Sequence, residues 1–387
     1  MSPTKKIAIL ADFPLHLLPE ASFQDPGGHY ATWLPQLARA FKGAKGFEFH
    51  WVTLDSEAKQ NREIKAWDQT FHVLPTWKRG RATTLFLADR FRIQHKIQQI
   101  EPDLVHGWGN ENIWGWATAA SHRRNIFSIQ GLLGYYCKLG HRAIRERMMA
   151  IIEAKVLQRA MVLTAESPWT IQQVERLNGR KDVKLVEYGV PDEFFQADHA
   201  PVMHNPYAVM VGTADFRKGI DFAVQLFSRP ELAGICLKVV GGVSTYGEIW
   251  RKSSSPNIEW LGRKTQAEII QLMGGATCLV LPTRGDTGPT VAKEARVIGL
   301  PIVASPHGGH IQYVENGANG FICDLGAPED WSRATRYLFD DLSRAKLMGQ
   351  IDQKKHRELL RPDRTAKNFI DLYDHFLSTP RTNEGET

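Results

Sequence analysis

The stretch PTRGDTGPTVAKEARVIGLPIVAS, residues 282–305, decides how the rest of the chain is read. The run that leads into it, TCLVLP, is apolar enough for a buried strand, and PIVAS at its end reads as another. Between them, Pro289 suits the first turn of a helix and Gly299 its stop, so PTVAKEARVI is expected to be a helix joining two strands of a parallel sheet. The loop TRGDTG then lies at the carboxyl end of its strand, where such sheets bind ligands. Two carboxylates stand in this unit, Asp286 in the loop and Glu294 about one and a half turns into the helix. Each has two uses. Asp286 either faces a ligand or helps Thr287 cap the helix, and Glu294 faces either the same crevice or solvent.

Outward from this unit, the same alternation fills the chain. KIAILADF, FEFHWVTL, DLVHGW, NIFSIQG, AMVLTAE and VKLVEYG are strand-like, with helical patterns such as GHYATWLPQLARAF and SPWTIQQVERLNG between some of them. Periodicity lapses over residues 190–206, which gather Pro, Asp and His, and resumes with YAVMVGT, CLKVVGG, IEWLG, TCLVLPT, PIVAS and GFICD. The expectation is an α/β protein of two Rossmann-like domains, each an open parallel sheet, facing across a cleft. Residues 1–195 form the first and 196–362 the second. Residues 363–387 are expected to be a helix crossing back to the first domain and a polar, disordered tail.

A chain of 387 residues with 43% hydrophobic content can bury two cores. No run approaches the roughly 18 apolar residues of a membrane span. The apolar run after Lys5 and Lys6 meets Asp12 and Pro14 too soon for a secretory signal, and four widely separated cysteines read as reduced thiols. A cytoplasmic protein is expected, with the inner face of the membrane as one place of work. Charge is uneven: residues 1–190 carry 26 Lys and Arg against 18 Asp and Glu, and the remainder 22 against 24. The basic half suits an anionic partner, either a membrane surface, an acceptor or nucleic acid, or it is simply solvated. No nucleic-acid recognition module is present. The segment KLGHRAIRERMMAIIEAKVLQRA, with Arg142, Arg145, Arg147, Lys155 and Arg159, reads either as a helix lying on anionic lipid or as a buried helix with a basic outer face. His307 and His310 straddle two glycines in a loop, so no metal site is expected there.

The opening stretch resembles the signature of retaining GT-B glycosyltransferases, family 4 in particular. In that signature two glutamates with seven residues between them precede an alanine, a glycine and a Pro-Val-aliphatic strand. Asp286 and Glu294 keep the spacing, followed by Ala295, Gly299, Pro301, Ile302 and Val303. VGTADFRKGIDFAVQLF, LKVVGG, IEWLGRKTQAEIIQLMGGATCLVLPT, SPHGGHIQYVENGANGFICD, PDLVHGW and VEYGVPDEFF also resemble family segments, in the family's order.

The resemblance implies a GT-B fold and a metal-independent, retaining transferase. It would move a hexose-type sugar from a nucleotide sugar, a substrate rather than a cofactor, to a hydroxyl acceptor on a glycolipid or polysaccharide. It also implies roles. Lys218 would bind the diphosphate, with Gly212 beside it, and the Gly27–Gly28 turn, otherwise a helix-start turn, would close on it from the opposite side. Glu294 would take the ribose hydroxyls and Asp286 those of the donor sugar. Gly288, Pro289, Thr290 and Val291 would complete the anion and sugar contacts at the helix start.

Three departures stand out. Thr213 occupies the place of the family's arginine, which leaves Arg217 either as the second phosphate cation or as a solvent-facing arginine. Gln130 replaces a family histidine; it cannot exchange protons at neutral pH but can hold a hydroxyl or present a carbonyl oxygen to the anomeric centre. Asp286 is one methylene shorter than the family's glutamate. On the acceptor side, His106 and Trp108 end the DLVHGW strand and are candidates for the cleft, with core roles as the alternative. Two other functions stay open, a nucleotide-sugar epimerase on the same fold and a non-catalytic nucleotide-sugar binding protein.

Overall fold

A computed structural model describes residues 3–19, 23, 33–78, 81, 86–109, 113–140 and 144–380. The first part of the chain runs β1 (Lys5–Leu10), α1 (Trp33–Ala40), β2 (Phe47–Asp55), β3 (Arg62–Ala66), β4 (Gln69–Pro75), α2 (Leu87–Ile100), β5 (Leu104–Trp108) and α3 (Trp114–Ala119). It continues with β6 (Arg124–Ile129), α4 (Leu133–Lys138), α5 (Ile144–Arg159), β7 (Val162–Ala165), α6 (Pro168–Asn178) and β8 (Lys184–Leu185). These eight strands form one sheet in the order β3-β4-β2-β1-β5-β6-β7-β8. Ile7, Ala8, Ile9 and Leu10 of β1 are all fully buried, because helices cover both faces.

The sheet is not wholly parallel, as the sequence suggested. β3 pairs antiparallel with β4 at the edge, Ala66 opposite Gln69. The hairpin closes through Trp67 and Asp68, both left-handed at φ 51° and 60°. Tight hairpin turns usually place glycine or asparagine there, so this one leaves no mark in the sequence.

The second part runs β9 (Tyr207–Val211), α7 (Ile220–Phe227), β10 (Cys236–Val240), α8 (Thr245–Lys252), β11 (Ile258–Gly262), α9 (Gln266–Gly275), β12 (Cys278–Leu281) and α10 (Thr290–Ile298). After these come β13 (Ile302–Ala304), β14 (Gly320–Ile322), α11 (Pro328–Phe339), α12 (Leu342–Gln350), α13 (Gln353–Leu359) and α14 (Pro362–Ser378). Its six strands form an all-parallel sheet in the order β11-β10-β9-β12-β13-β14. The order reverses between β9 and β12, and a crevice opens outside the carboxyl ends of strands at such a switch point. The loop after β9 carries Arg217 and Lys218, and the loop after β12 carries Asp286.

α14 packs on the first sheet and not the second. Phe369 and Tyr373 enter the core that holds Trp108 and Tyr188, and Lys5 Nζ donates to Asp374 Oδ1 at 2.6 Å. Gly189 sits so close to the start of α14 that a Cβ would lie 2.7 Å from the Pro362 backbone.

Candidate functional site

The two loops at the switch point are held together by a glycine that only glycine can be. Gly219 is left-handed at φ 76°, and a Cβ there would lie 2.0 Å from the carbonyl oxygen of Pro282. With the loops in contact, Arg284 N and Thr283 Oγ1 both donate to Arg217 O, at 2.8 and 3.0 Å. The Arg284 guanidinium forks onto Asp221 in the first turn of α7, at 2.8 and 2.6 Å, and donates to Phe216 O at 2.6 Å. Asp215 Oδ1 accepts from Lys218 N at 2.7 Å. The backbone around both cations is therefore fixed before any ligand arrives.

The consequence is a compact charge cluster. Arg217 Nη1 donates to Asp286 Oδ2 at 3.1 Å, and Lys218 Nζ donates to the same oxygen. Burial alone would push the Asp286 carboxyl up, but Lys218 and then Arg217 more than offset it and hold the group well below the usual carboxylate range. Two cations and one anion leave a net positive charge at the mouth of the crevice. The capping role for Asp286 does not hold, since α10 starts from Pro289 with no side-chain cap. The first N–H groups of α10 are thereby left for another acceptor. Pro289 has no N–H, so among residues 288–291 only Gly288, Thr290 and Val291 can donate.

Glu294 stands a little further along α10. It forms no side-chain hydrogen bond or ion pair with a described residue, and burial pushes its carboxyl up to about 7 against a smaller opposing pull from Lys293. An acid so placed is costly unless a ligand uses it.

The first domain closes against this loop. Thr287 O accepts from Ser167 Oγ at 2.5 Å and from Thr170 Oγ1 at 2.9 Å, and Thr287 Oγ1 donates to Gln130 O. Tyr135 Oη donates to Arg284 O at 3.1 Å, and the Arg217 guanidinium lies 5.0 Å from the Tyr136 ring. Lys293 Nζ donates to Glu166 Oε2 at 2.5 Å, a buried pair that joins α10 to the end of β7. Gly288 is packed against the same acid, where a Cβ would lie 2.0 Å from Glu166 Cδ. The need for glycine at 288 thus comes from the seam between domains. Gln130 is also at that seam, through its backbone carbonyl, with its Nε2 buried and unpartnered.

His106 and Trp108 do not face the cleft. His106 is fully buried, Nδ1 bonded to Tyr373 Oη at 2.6 Å and Nε2 to Ser128 Oγ at 2.7 Å, and burial drives its pKa down to about 3. Trp108 is 1% exposed and packs on Phe369 and Tyr188. Both candidates are core residues because α14 covers the side of β5 on which they project. Gly27 and Gly28 lie outside the described residues. Gly212 has φ 137°, and a Cβ there would stand 3.7 Å from Lys218 Cε.

Several site residues escaped the sequence reading. Arg284 and Asp221 brace the loops, and Glu166 with Lys293 joins the domains. His310, whose Nε2 bonds Ser305 O at 2.7 Å and whose Nδ1 is buried without a partner, lies beside Asp286. Glu166 gave a signal as an acid at the end of the AMVLTAE strand, and His310 was weighed only as a metal ligand. Among the described residues, no group of three or more His, Cys, Asp or Glu side chains could hold a metal ion.

Two Rossmann-like domains that meet over a positively charged crevice at the switch point of the second are the build of a GT-B glycosyltransferase. Residues 31–194 match the family model Glycosyltransferase Family 4, and residues 191–355 match the model Glycosyl transferases group 1. The chain belongs to the GT-B glycosyltransferases of the family 4 type. An uncharacterised glycosyltransferase of Methanocaldococcus jannaschii is 26% identical over 319 residues, which cover 80% of this chain and 85% of that protein. A D-inositol 3-phosphate glycosyltransferase of Nocardioides sp. is 29% identical over 122 residues, 31% of this chain and only 26% of that protein. Among solved structures, sucrose-phosphate synthase from Thermosynechococcus elongatus superposes with a TM-score of 0.78 at 18% identity, covering 97% of this chain and 99% of that one. Anabaena HepE, solved with UDP-glucose, gives 0.68 at 16% identity, covering 96% and 99%.

Proposed function

We propose that this protein transfers a hexose-type sugar from a nucleotide sugar to a hydroxyl acceptor with retention of anomeric configuration, without a metal ion, in the synthesis of a cell-surface glycolipid or polysaccharide. The observation that carries the reading is the cluster of Lys218, Arg217 and Asp286, with Glu294 further along α10 and without a side-chain partner among the described residues. Negative charge grows on the diphosphate as the glycosidic bond breaks, and two fixed cations with the open start of α10 are the groups that would stabilise it. In this reading Arg217, held against Tyr136 and Gly285, takes the place of the cation absent at Thr213. Glu294 accepts from the ribose hydroxyls, which ionises it and relieves its cost. Asp286 exchanges its cations for the sugar hydroxyls when the diphosphate arrives. Gln130 borders the sugar from the first domain. The UDP and UDP-glucose complexes of Anabaena HepE support a nucleoside diphosphate donor on this fold.

The test is a thermal-shift screen of nucleoside diphosphates and their sugars in EDTA, followed by transfer assays with the best donor. A ligand at a hundredfold its Kd should stabilise by about 2.7 kcal/mol. Failure of every nucleotide sugar to stabilise the protein would overturn the donor reading, and activity lost in EDTA but restored by a divalent cation would overturn metal independence.

A further inference from the structure

The helix whose sequence allowed two readings, lipid-facing or buried with a basic back, resolves into both at once. α5 buries Met149, Glu153, Val156 and Leu157 on one side. On the opposite side Ile144, Met148 and Ile151 recur at i, i+4 and i+7 and are 78%, 43% and 63% exposed. At about 100° per residue these three fall within roughly 60° of the helix circumference, and Lys155 falls between them. Arg147 and Arg159 flank the stripe, and all three cations are exposed. Soluble helices do not ordinarily turn such a stripe to water.

α2 extends this surface. Leu87 and Phe91, at i and i+4, are exposed, the latter 78%. The Arg145 guanidinium lies 5.9 Å from the ring of Phe86, the residue just before α2, so the starts of the two helices lie side by side. The acids of both helices are turned inward. Asp89 accepts from Thr76 Oγ1 and Arg81 Nε at 2.6 and 2.7 Å, and Glu153 accepts from Leu133 N and Gly134 N at 2.8 and 2.7 Å. Only Glu146 keeps part of its side chain in solvent. The outward charge of α2 and α5 is thus almost purely cationic around an apolar centre. That combination matches an anionic lipid surface, where apolar side chains enter the acyl boundary and Lys or Arg meets the head groups. No helix of the described residues is long and apolar enough to cross a membrane, so the contact would be with the surface alone.

We infer that α5 and α2 form a docking face for an anionic membrane. The face is coupled to the candidate site by two contacts: Glu153 of α5 holds the start of α4, and Tyr135 of α4 donates to Arg284 O in the loop of Asp286. The inference rests on the transferase reading only for why a membrane would lie there, namely to present a lipid-linked acceptor.

The experiment is sedimentation of the full 387-residue protein with vesicles of phosphatidylcholine, with and without phosphatidylglycerol, at low and high salt. The parent should bind only the anionic vesicles and release with salt. The triple variant Ile144→Ser, Met148→Ser, Ile151→Ser and the double variant Arg147→Gln, Lys155→Gln should each lose roughly tenfold or more in vesicle affinity. Neither should change the melting temperature or the thermal shift with nucleoside diphosphate. Vesicle binding without any nucleotide shift would support the face while sinking the transferase reading. Absence of binding to anionic vesicles, or equal binding by parent and triple variant, would overturn the inference. Concentration-dependent self-association that the triple variant abolishes, without vesicle binding, would reassign the face to a protein contact.

Discussion

Replacing Asp286 with Asn should push two observables in opposite directions. The carboxylate is the internal counter-ion of Lys218 and Arg217, with one oxygen 3.1 Å from Arg217 Nη1 and a shared bond to Lys218. At an effective dielectric of about 20, a pair of unit charges at that separation attracts by roughly 5 kcal/mol, before desolvation subtracts from it. A diphosphate must compete with this attraction for the same cations. Asn keeps the shape and removes the charge, so the free nucleoside diphosphate should bind more tightly by about 1.5–3 kcal/mol, the range for hydrogen bonds to charged groups, or roughly ten- to a hundredfold. The empty protein should melt lower, because two cations lose their partner, and nucleotide should restore it. Transfer should nevertheless slow, since the sugar hydroxyls lose a charged acceptor. Titration calorimetry with the nucleotide and transfer rates on the matching donor read the two effects separately. If nucleotide affinity were unchanged or weaker in the variant, Asp286 would not compete with phosphate, and the exchange of partners would be wrong.

Glu294→Gln should raise the melting temperature of the empty protein at pH 8 and weaken nucleoside diphosphate binding by about 1.5–3 kcal/mol. The sign follows from the carboxyl raised to about 7: its stabilising, protonated form is complete below about 4.5 and is lost as pH rises through 7, at a cost of at most about 3 kcal/mol. Nucleotide affinity of the parent should therefore climb between pH 6 and 8, and a climb that persists in the Gln variant would refute the assignment. Lys293→Met should destabilise by about 3–5 kcal/mol by leaving Glu166 unpaired, and adding Glu166→Leu should recover much of that loss; chemical denaturation of both variants checks it. Burial also lowers His72, His199, His310 and His356 to about 4 and His106 to about 3. These stay neutral in the fold and charge in the unfolded chain below about 6.5, so stability is lost as pH falls; less the proton that Glu294 releases, the uptake on unfolding near pH 5 is about four protons. Calorimetry in buffers of different ionisation enthalpy measures that uptake, and an uptake near zero would count against the buried neutral set.

How much of this was legible in the sequence depends on the distance over which each signal acts. β12, α10 and β13 could be read because the strands are buried on both faces and Gly299 ends the helix at φ 90°. Even there Pro289 proves to be the N-cap rather than the first helical residue. The edge hairpin could not be read, since its turn uses Trp67 and Asp68. His106 looked like a cleft residue because a strand end says nothing of what covers it; its partner Tyr373 comes 267 positions later. Asp286 and its cations are 68 and 69 positions apart, and only the resemblance to a family placed them together. Lys293 and Glu166, 127 positions apart on different domains, carried no such pointer, although Lys293 is the neighbour of Glu294.

That adjacency has a physical consequence. Residues 284–294 make contacts with both domains. Arg284 is fixed to α7, Asp286 to the cations of the second domain, Thr287 to Ser167 and Gln130 of the first, and Lys293 to Glu166 of the first. Glu294, one residue on, makes no such side-chain contact with a described residue. A donor that engages Asp286 and Glu294 therefore acts on residues whose immediate neighbours hold the domains together. Breaking the Lys293 pair is expensive only while both charges stay buried; a cleft that opens wide enough to hydrate them removes most of that penalty. The seam then favours two arrangements, closed and dry or open and wet, over any state in between. On the function proposed above, a donor that engages Asp286 and Glu294 would bias that choice through the segment that carries both acids.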